Sequence, residues 1–343
     1  MNLQPHVYVG TAGHSAWFSE DGGLTWVHPN SHSGMYLEAR VWSFASHPEH
    51  PDWLLAGTDM GLFQWHEASA RWTAIVSPLQ DIWVAAIHPQ DPQLWLIGSR
   101  PAGICRSRDG GKTWQTLHVP NLQQFSTLNM GATRVTQILF DPLDAHTVWL
   151  TVEIGGIFVS HDDGDTWHPR DQGLISADVH GLAILDQPDR PRWMYATTNQ
   201  GLHRSTDGGL HWEFQAIDSP WQYTRAIVPR LDHTGVVFLT NGNGPPGNRG
   251  RLLISEDYGV HWQEVHLPGN VNSTVWTVAT HPLQPMHLWA CTNLGQVFAS
   301  QDGGWHWERL PQEFGEIRAL HWRPLPLGIR QQDHSLTRRV EPV

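Results

Sequence analysis

An all-β chain closed into a single ring of seven four-stranded antiparallel blades, a seven-bladed β-propeller, is what this sequence predicts, and three observations predict it. An eight-residue motif that opens with Ser and closes with Trp recurs six times in clean form. Its terminal Trp residues, together with one from a decayed copy, fall 42 to 53 residues apart, the length of a four-stranded blade rather than of a helical hairpin. The chain also begins on what would be the second strand of a blade, and the matching first strand occurs only near the C-terminus.

The motif stands as Ser19-Glu20-Asp21-Gly22-Gly23-Leu24-Thr25-Trp26 and returns at Ser107 to Trp114, Ser160 to Trp167, Ser205 to Trp212, Ser255 to Trp262 and Ser300 to Trp307. The decayed copy runs from Trp65 to Trp72, with Glu67 at the Asp position and Ser69 at the Gly position. In the hairpin between third and fourth strands, the carboxylate can accept hydrogen bonds from turn amides and Gly supplies a positive φ. The hydroxyl residues bond locally, and the Trp packs between blades. The motif is therefore a staple, and no catalysis is expected of it.

Within blade three, strand a is Ile82 to Ile87, strand b Leu94 to Ile97 and strand c Gly103 to Arg106, with strand d following Thr113-Trp114. Alternation and β-branched residues support the strands, while Pro and Gly fall between them. Blade one begins at strand b, His6 to Val9. Its strand a is expected from Glu316 to Pro324, which aligns with Asp81 to Pro89. Such closure removes the edge strands of an open array. The propeller then spans 1–326, and 327–343 is a tail.

Composition narrows the function. Hydrophobic residues make up 40% of the chain and charged ones 16%, with 20 Trp, enough apolar area for a core. A formal charge of −12 without a Lys/Arg run argues against nucleic acid or an anionic membrane surface as partner. The N-terminus shows no basic start followed by an apolar stretch, and only Cys105 and Cys291 occur, so a cytoplasmic monomer without disulfides is expected. Neither metal nor cofactor is expected. Asp162-Asp163-Gly164-Asp165 looks like a calcium loop but has Gly173 where the bidentate Glu belongs. Gly242, Gly244 and Gly247 spell a dinucleotide fingerprint, but Pro245-Pro246 intervenes and a strand follows. The insert from Asn241 to Gly250 is expected to be a flexible b–c loop over the mouth of the propeller.

The strings Gly57-Thr58-Asp59-Met60-Gly61-Leu62-Phe63 and Ser107 to Trp114 resemble the Asp-box repeats of the BNR superfamily. That group includes sialidases, xyloglucanases, sortilin-type receptors and photosystem II assembly factors of the Ycf48 type. Single-propeller length and repeat style resemble the last most. The resemblance covers nearly the whole chain and implies a fold rather than an activity. The chain departs from each relative: xyloglucanases of this kind use two propellers, and the Ycf48 type is exported. The sialidase-like string Tyr223 to Pro229 lies in blade six rather than near the start.

In this strand order the d–a and b–c loops open on one face, with the staples and the His-Pro turns on the other, where His47, His88 and His281 are expected to be solvated. Positions at the mouth that differ between blades are free for function. One row at the top of strand a is Arg40, Asp81, Arg134, Asp178, Tyr223, Thr274 and Glu316; two residues on come Trp42, Trp83, Thr136, His180, Arg225, Trp276 and Arg318. Arginine forks suit carboxylate or phosphate, and indole faces suit sugar rings, aromatic groups or peptide side chains. Longer loops add His14, Met35, Tyr36, Glu38, Arg100, Asn129, Met130, Glu153 and Trp221.

Two functions stay open. One is a binding or assembly module gripping a protein segment or a small anionic, aromatic or carbohydrate ligand through Arg40, Trp42, Asp81, Trp83, Arg134, Tyr223, Arg225, Trp276 and Arg318. The other is a glycosidase or lyase with an arginine clamp, in which mouth carboxylates such as Glu38, Asp81, Glu153, Asp178 or Glu316 act and His180 serves as a base beside Asp178. A third reading of the rows is a purely structural ring of ion pairs.

Overall fold

A computed structural model of the protein describes residues 3–28, 33–122, 131–187 and 191–326. Among them the chain forms seven antiparallel sheets arranged as the blades of a propeller. Blades two to seven each carry four strands in the order a-b-c-d. Blade one pairs its strand c (Ala16–Ser19) with strand b (Leu3–Thr11) and strand b with the closing strand a (Ile317–Pro326). Its fourth position is marked by a single bridge from Phe18 to Val27. The candidate tail 327–343 lies outside the described residues.

The clean staples share one set of bonds, except that in blade five His211 replaces Thr and bonds Asp207 through its backbone amide. In blade one, Ser19 Oγ donates to Asp21 Oδ1 at 2.7 Å and accepts from the Gly23 amide at 2.7 Å, while the Thr25 amide and hydroxyl donate to the Asp21 carboxylate at 2.9 and 2.6 Å. In blades six and seven, His261 and His306 replace Thr and still bond Asp257 and Asp302. The second Gly of the motif is where backbone meets side chain. At Gly304, with φ +100°, an added Cβ would sit 2.5 Å from the Phe238 ring of the preceding blade.

The decayed copy differs for a physical reason. Glu67 does not staple its own turn but points into the core, where it is almost wholly buried. Trp65, at the Ser position, donates its indole N–H to Glu67 Oε2 at 2.7 Å. Arg323 on the closing strand reaches the same oxygen at 3.0 Å, donates to the Tyr8 hydroxyl at 2.6 Å and to the Trp53 carbonyl at 2.9 Å. The longer acid thus ties blade two to the strand that completes blade one. That strand pairs with the N-terminal strand along its length, from Leu3 opposite Pro326 to Thr11 opposite Ile317.

The His-Pro turns correct one expectation. His47 and His88 are buried, not solvated. Each accepts a turn amide on Nδ1, from Glu49 at 3.2 Å and from Gln90 at 3.1 Å, which leaves the proton on Nε2. That proton goes to a carbonyl of the next blade, Pro89 at 3.1 Å or Ala145 at 2.9 Å. They are inter-blade ties. His281 is half-buried against Trp322, with ring centres 5.2 Å apart.

Two stability predictions follow from these ties. Arg323→Met takes from the buried Glu67 its arginine, leaving His6 at 3.6 Å as the nearest ionisable base among the described residues, and should cost about 3–5 kcal/mol of unfolding free energy, with Glu67→Leu in the same chain restoring part of it. A loss below about 1 kcal/mol in urea titrations would mean the pair behaves as a solvated one. The second concerns pH. Burial, then the charge of Arg323, holds His281 down to about 4 and His321 down to about 3. An unfolded histidine ionises near 6.5, so the unfolded chain binds protons that the native one refuses, and stability declines as pH falls from about 6.5. Hydrogen bonds from Thr113 hold Asp109 down to about 2. Against a desolvation that acts the other way, bonds from Thr166 and His306 do the same for Asp162 and Asp302. Their contribution is present above about pH 4 and lost as pH falls toward 2. His321→Gln should flatten the upper decline and leave the lower one unchanged in pH-dependent unfolding.

Candidate functional site

In all seven blades strand a is irregular at one place. The pairing skips Trp42 between Val41 and Ser43, Trp83 between Ile82 and Val84, Thr136 between Val135 and Gln137, and His180 between Val179 and Gly181. It skips Arg225 with Ala226, then Trp276, then Arg318 on the closing strand. A bulge leaves one residue unpaired and re-aims its side chain. Every residue of the second mouth row is a bulge residue, and all seven line one central cavity of about 260 Å³.

Around this channel the side chains form a run of alternating contacts. The Arg134 guanidinium lies 4.1 Å over the Trp83 ring, and Trp83 stacks on Trp42 at 4.2 Å and 11°. Arg318 lies 5.9 Å from the Trp42 ring and 5.1 Å from that of Trp276, which Arg225 covers at 4.1 Å. Thr136 donates to the Val179 carbonyl at 2.8 Å, and His180 Nδ1 donates to the Thr224 carbonyl at 2.7 Å. Cation–π contacts of this kind are worth about 0.5–2 kcal/mol each.

The first row serves the second. Asp81 accepts the Trp42 indole N–H at 2.8 Å. Glu316 pairs with Arg318, and Glu153, from the b–c hairpin of blade four, pairs with Arg134. Asp178 faces His180 Nε2 at 3.5 Å, and Tyr223 packs against the His180 ring at 4.9 Å. Two residues stand apart: Arg40 is exposed and bonds Asp59 through its backbone, its amide to the carboxylate and its carbonyl to the Asp59 amide, while Thr274 is buried and donates to the Gly244 carbonyl. Among the loop candidates, Met35 is core, and Asn129 and Met130 lie outside the described residues. Gln137 escaped the sequence reading. It lines the channel and ties blade four to Leu182 of blade five through both ends of its amide, at 2.6 and 3.1 Å. Its signal was there, since six blades carry Ser43, Val84, Gly181, Ala226, Thr277 or Ala319 at that place.

The electrostatics single out one residue. Burial pushes Arg134 down to about 10, with Glu153 opposing and Arg225, Arg100 and Arg318 adding to the effect. Burial raises the Glu153 carboxyl although Arg134 opposes it, whereas Asp178 is held low, against its own burial, by His180, Arg134 and Arg225. Burial lowers Arg225 as well. Arg225 has no carboxylate within ion-pair distance among the described residues. Its Nη1 donates to the His180 carbonyl at 3.2 Å, and its Nε, out of contact with solvent, meets no partner. The side chain keeps only a strip of surface, on the channel.

This architecture has relatives. No family model matches the chain. A Paenibacillus xyloglucanase is 26% identical over 76% of this chain and 30% of its own length. The photosystem II assembly protein Ycf48 of a Synechococcus is 23% identical over 69% of this chain and 78% of its own. Among solved structures, a GH74 xyloglucanase from Xanthomonas campestris superposes with a TM-score of 0.62 at 20% identity, covering 78% of this chain and 45% of that one. YCF48 bound to D1 peptide superposes with a TM-score of 0.61 at 15% identity, covering 91% and 90%. The chain shares their seven-bladed propeller fold. It spans about a third or less of the curated xyloglucanases it matches, and this propeller differs from both groups at four residues in five or thereabouts.

Arg134 and Arg225, two of the three arginines around the channel, should separate under mutation. Arg134→Ala strands the buried Glu153 carboxylate and should cost about 1–3 kcal/mol in chemical unfolding. Arg225→Met removes a cation that has no carboxylate within ion-pair distance among the described residues, and its stability should stay within about 1 kcal/mol of the parent or rise. Equal, large losses in both would make the ring a structural keystone.

Proposed function

We propose that the propeller is a binding module that captures an anionic group, carried by a protein segment or a small ligand, in the channel lined by the bulge residues. The observation that carries this reading is Arg225: a guanidinium enclosed among Trp276, Tyr223 and His180 without a carboxylate of its own. A buried cation is costly unless paired, and an incoming carboxylate or phosphate supplies the missing charge. The Trp42, Trp83 and Trp276 rings would hold the apolar part of the same ligand. The other carboxylates support this reading, because Glu153 and Glu316 are engaged by arginines and Asp81 by an indole. YCF48, which shares the fold, has been solved with a peptide bound.

Saturating benzoate, phosphate and acidic peptides should be screened by thermal shift. A ligand at a hundred times its Kd adds about 2.7 kcal/mol, and the shift should shrink with salt and vanish in Arg225→Met. An undiminished shift in that variant would place the anion elsewhere.

A second reading, a glycoside hydrolase, draws on one observation: Glu153 is pushed up while Asp178 is held low, the divergence that separates an acid from a base. The names of the xyloglucanase relatives point the same way. Under this reading Glu153→Gln abolishes release of reducing sugar from xyloglucan oligosaccharides, and a parent protein inactive on them removes it.

A further inference from the structure

A second cavity of the propeller is larger than the channel. It is a groove of about 790 Å³ on the rim of blade six, and it shares no lining residue with the channel. The end of the insert from Asn241 to Gly250 forms one wall of it, through Arg249 and Gly250, and the loops around Trp221 and Asn270 form the others. Strand c of this blade, Gly250–Ser255, runs two residues past the last pairing with strand d, Gln263–Val265, where Leu252 faces Val265. The overhang at Gly250 and Arg251 leaves an open slot over the side chains of Leu252, Val265 and Leu267, all buried.

Each wall of the slot is held by a side-chain amide. Asn241, fully buried, donates to the Trp221 and Tyr223 carbonyls at 3.1 and 2.8 Å and accepts from Ser219 Oγ at 2.6 Å, which fixes the loop carrying Trp221. Asn243 Oδ1 accepts the Asn248 and Arg249 amides at 2.9 and 3.1 Å and closes the insert. Buried Gln296 donates to the Asn270 carbonyl at 2.9 Å and anchors the opposite loop. Arg251 joins the Asp218 carbonyl, at 2.8 Å, to Glu264, at 2.5 Å.

What these loops present is specific. Trp221 is half-buried, and among the described residues its ring meets no second aromatic. Among the described residues its indole N–H, the Arg249 guanidinium, the His266 ring and the Asn270 side-chain amide have no hydrogen-bond partner. Formal charges in the groove balance, Arg249 and Arg251 against Asp218 and Glu264. A fixed indole platform offers an apolar face to the C–H side of a pyranose, and planar donors and acceptors around it suit vicinal hydroxyls. Balanced charge gives an anion no advantage here, in contrast to the channel. The volume lies within the range of small-molecule sites, about 300–1,000 Å³, which the channel does not reach.

We infer that the rim groove of blade six is a second binding site, independent of the channel, for a neutral oligosaccharide that stacks on Trp221. The test is isothermal titration of the full chain with cellohexaose, maltohexaose and mannohexaose, with trigalacturonate and an acidic peptide as the competing classes. Saturable binding of at least one neutral probe is expected, weakened tenfold or more by Trp221→Ala, partly restored by Trp221→Phe, weakened several-fold by Arg249→Ala, and changed less than twofold by Arg225→Met. Circular dichroism confirms that each variant folds, and Arg249→Ala carries the comparison if Trp221→Ala does not. Four outcomes overturn the assignment: no neutral probe saturates, trigalacturonate or the peptide binds and the neutral probes do not, binding survives both groove changes, or Arg225→Met weakens it as much as Trp221→Ala does.

Discussion

The closing strand is the constraint on which the molecule depends. Blade one has no strand of its own to face the channel until Ile317–Pro326 returns to pair with Leu3–Thr11. That same strand delivers Arg318 to the channel and Arg323 to the buried Glu67. Closure and site assembly are thus one event: an unpaired N-terminal strand would leave a sheet edge open and remove one of the three arginines around the channel. The Arg323–Tyr8–Glu67–Trp65 cluster explains why one staple has decayed, since its acid serves the seam between the first two blades instead of its own turn.

The seven bulges are the second organising device. A regular strand a would turn alternate residues toward its neighbours on either side. One extra residue per strand, opposite Gly10, Gly57 or Gly98 in three blades and Thr151, Thr197, Thr240 or Cys291 in the others, turns its side chain to the axis instead. The same backbone feature therefore presents Trp in three blades, Arg in two, and Thr and His in the others. Fold and ligand chemistry are separable for this reason, because changing a bulge residue alters the lining without altering the ladder that holds it.

Much of this was legible beforehand. The staples announced the blade count, and the offset between chain start and repeat start announced the closing strand, both because local turn chemistry repeats in the sequence. The second mouth row was legible because its members differ between blades where their neighbours do not. Less visible were the neighbours that lie far away in the chain. His47 and His88 looked solvated beside Pro, yet each gives its Nε2 proton to the next blade. Gln137 looked like one more polar strand residue, yet it bridges two blades.

Sequence alone determined the all-β class, the blades, the strand that seals them and the residue types at the mouth, because these are written in short-range periodicity and turn-forming motifs. Tertiary structure decided which charges are paired. Arg134, Arg225 and Arg318 are alike as letters, and only packing gives Glu153 to the first, Glu316 to the third and, among the described residues, no carboxylate within ion-pair distance to the second. It also decided that the insert at Asn241 to Gly250 walls a groove around Trp221, since that depends on how far one strand overhangs the next. Pairing and overhang are matters of distance between segments remote in the chain, and a sequence records order, not distance.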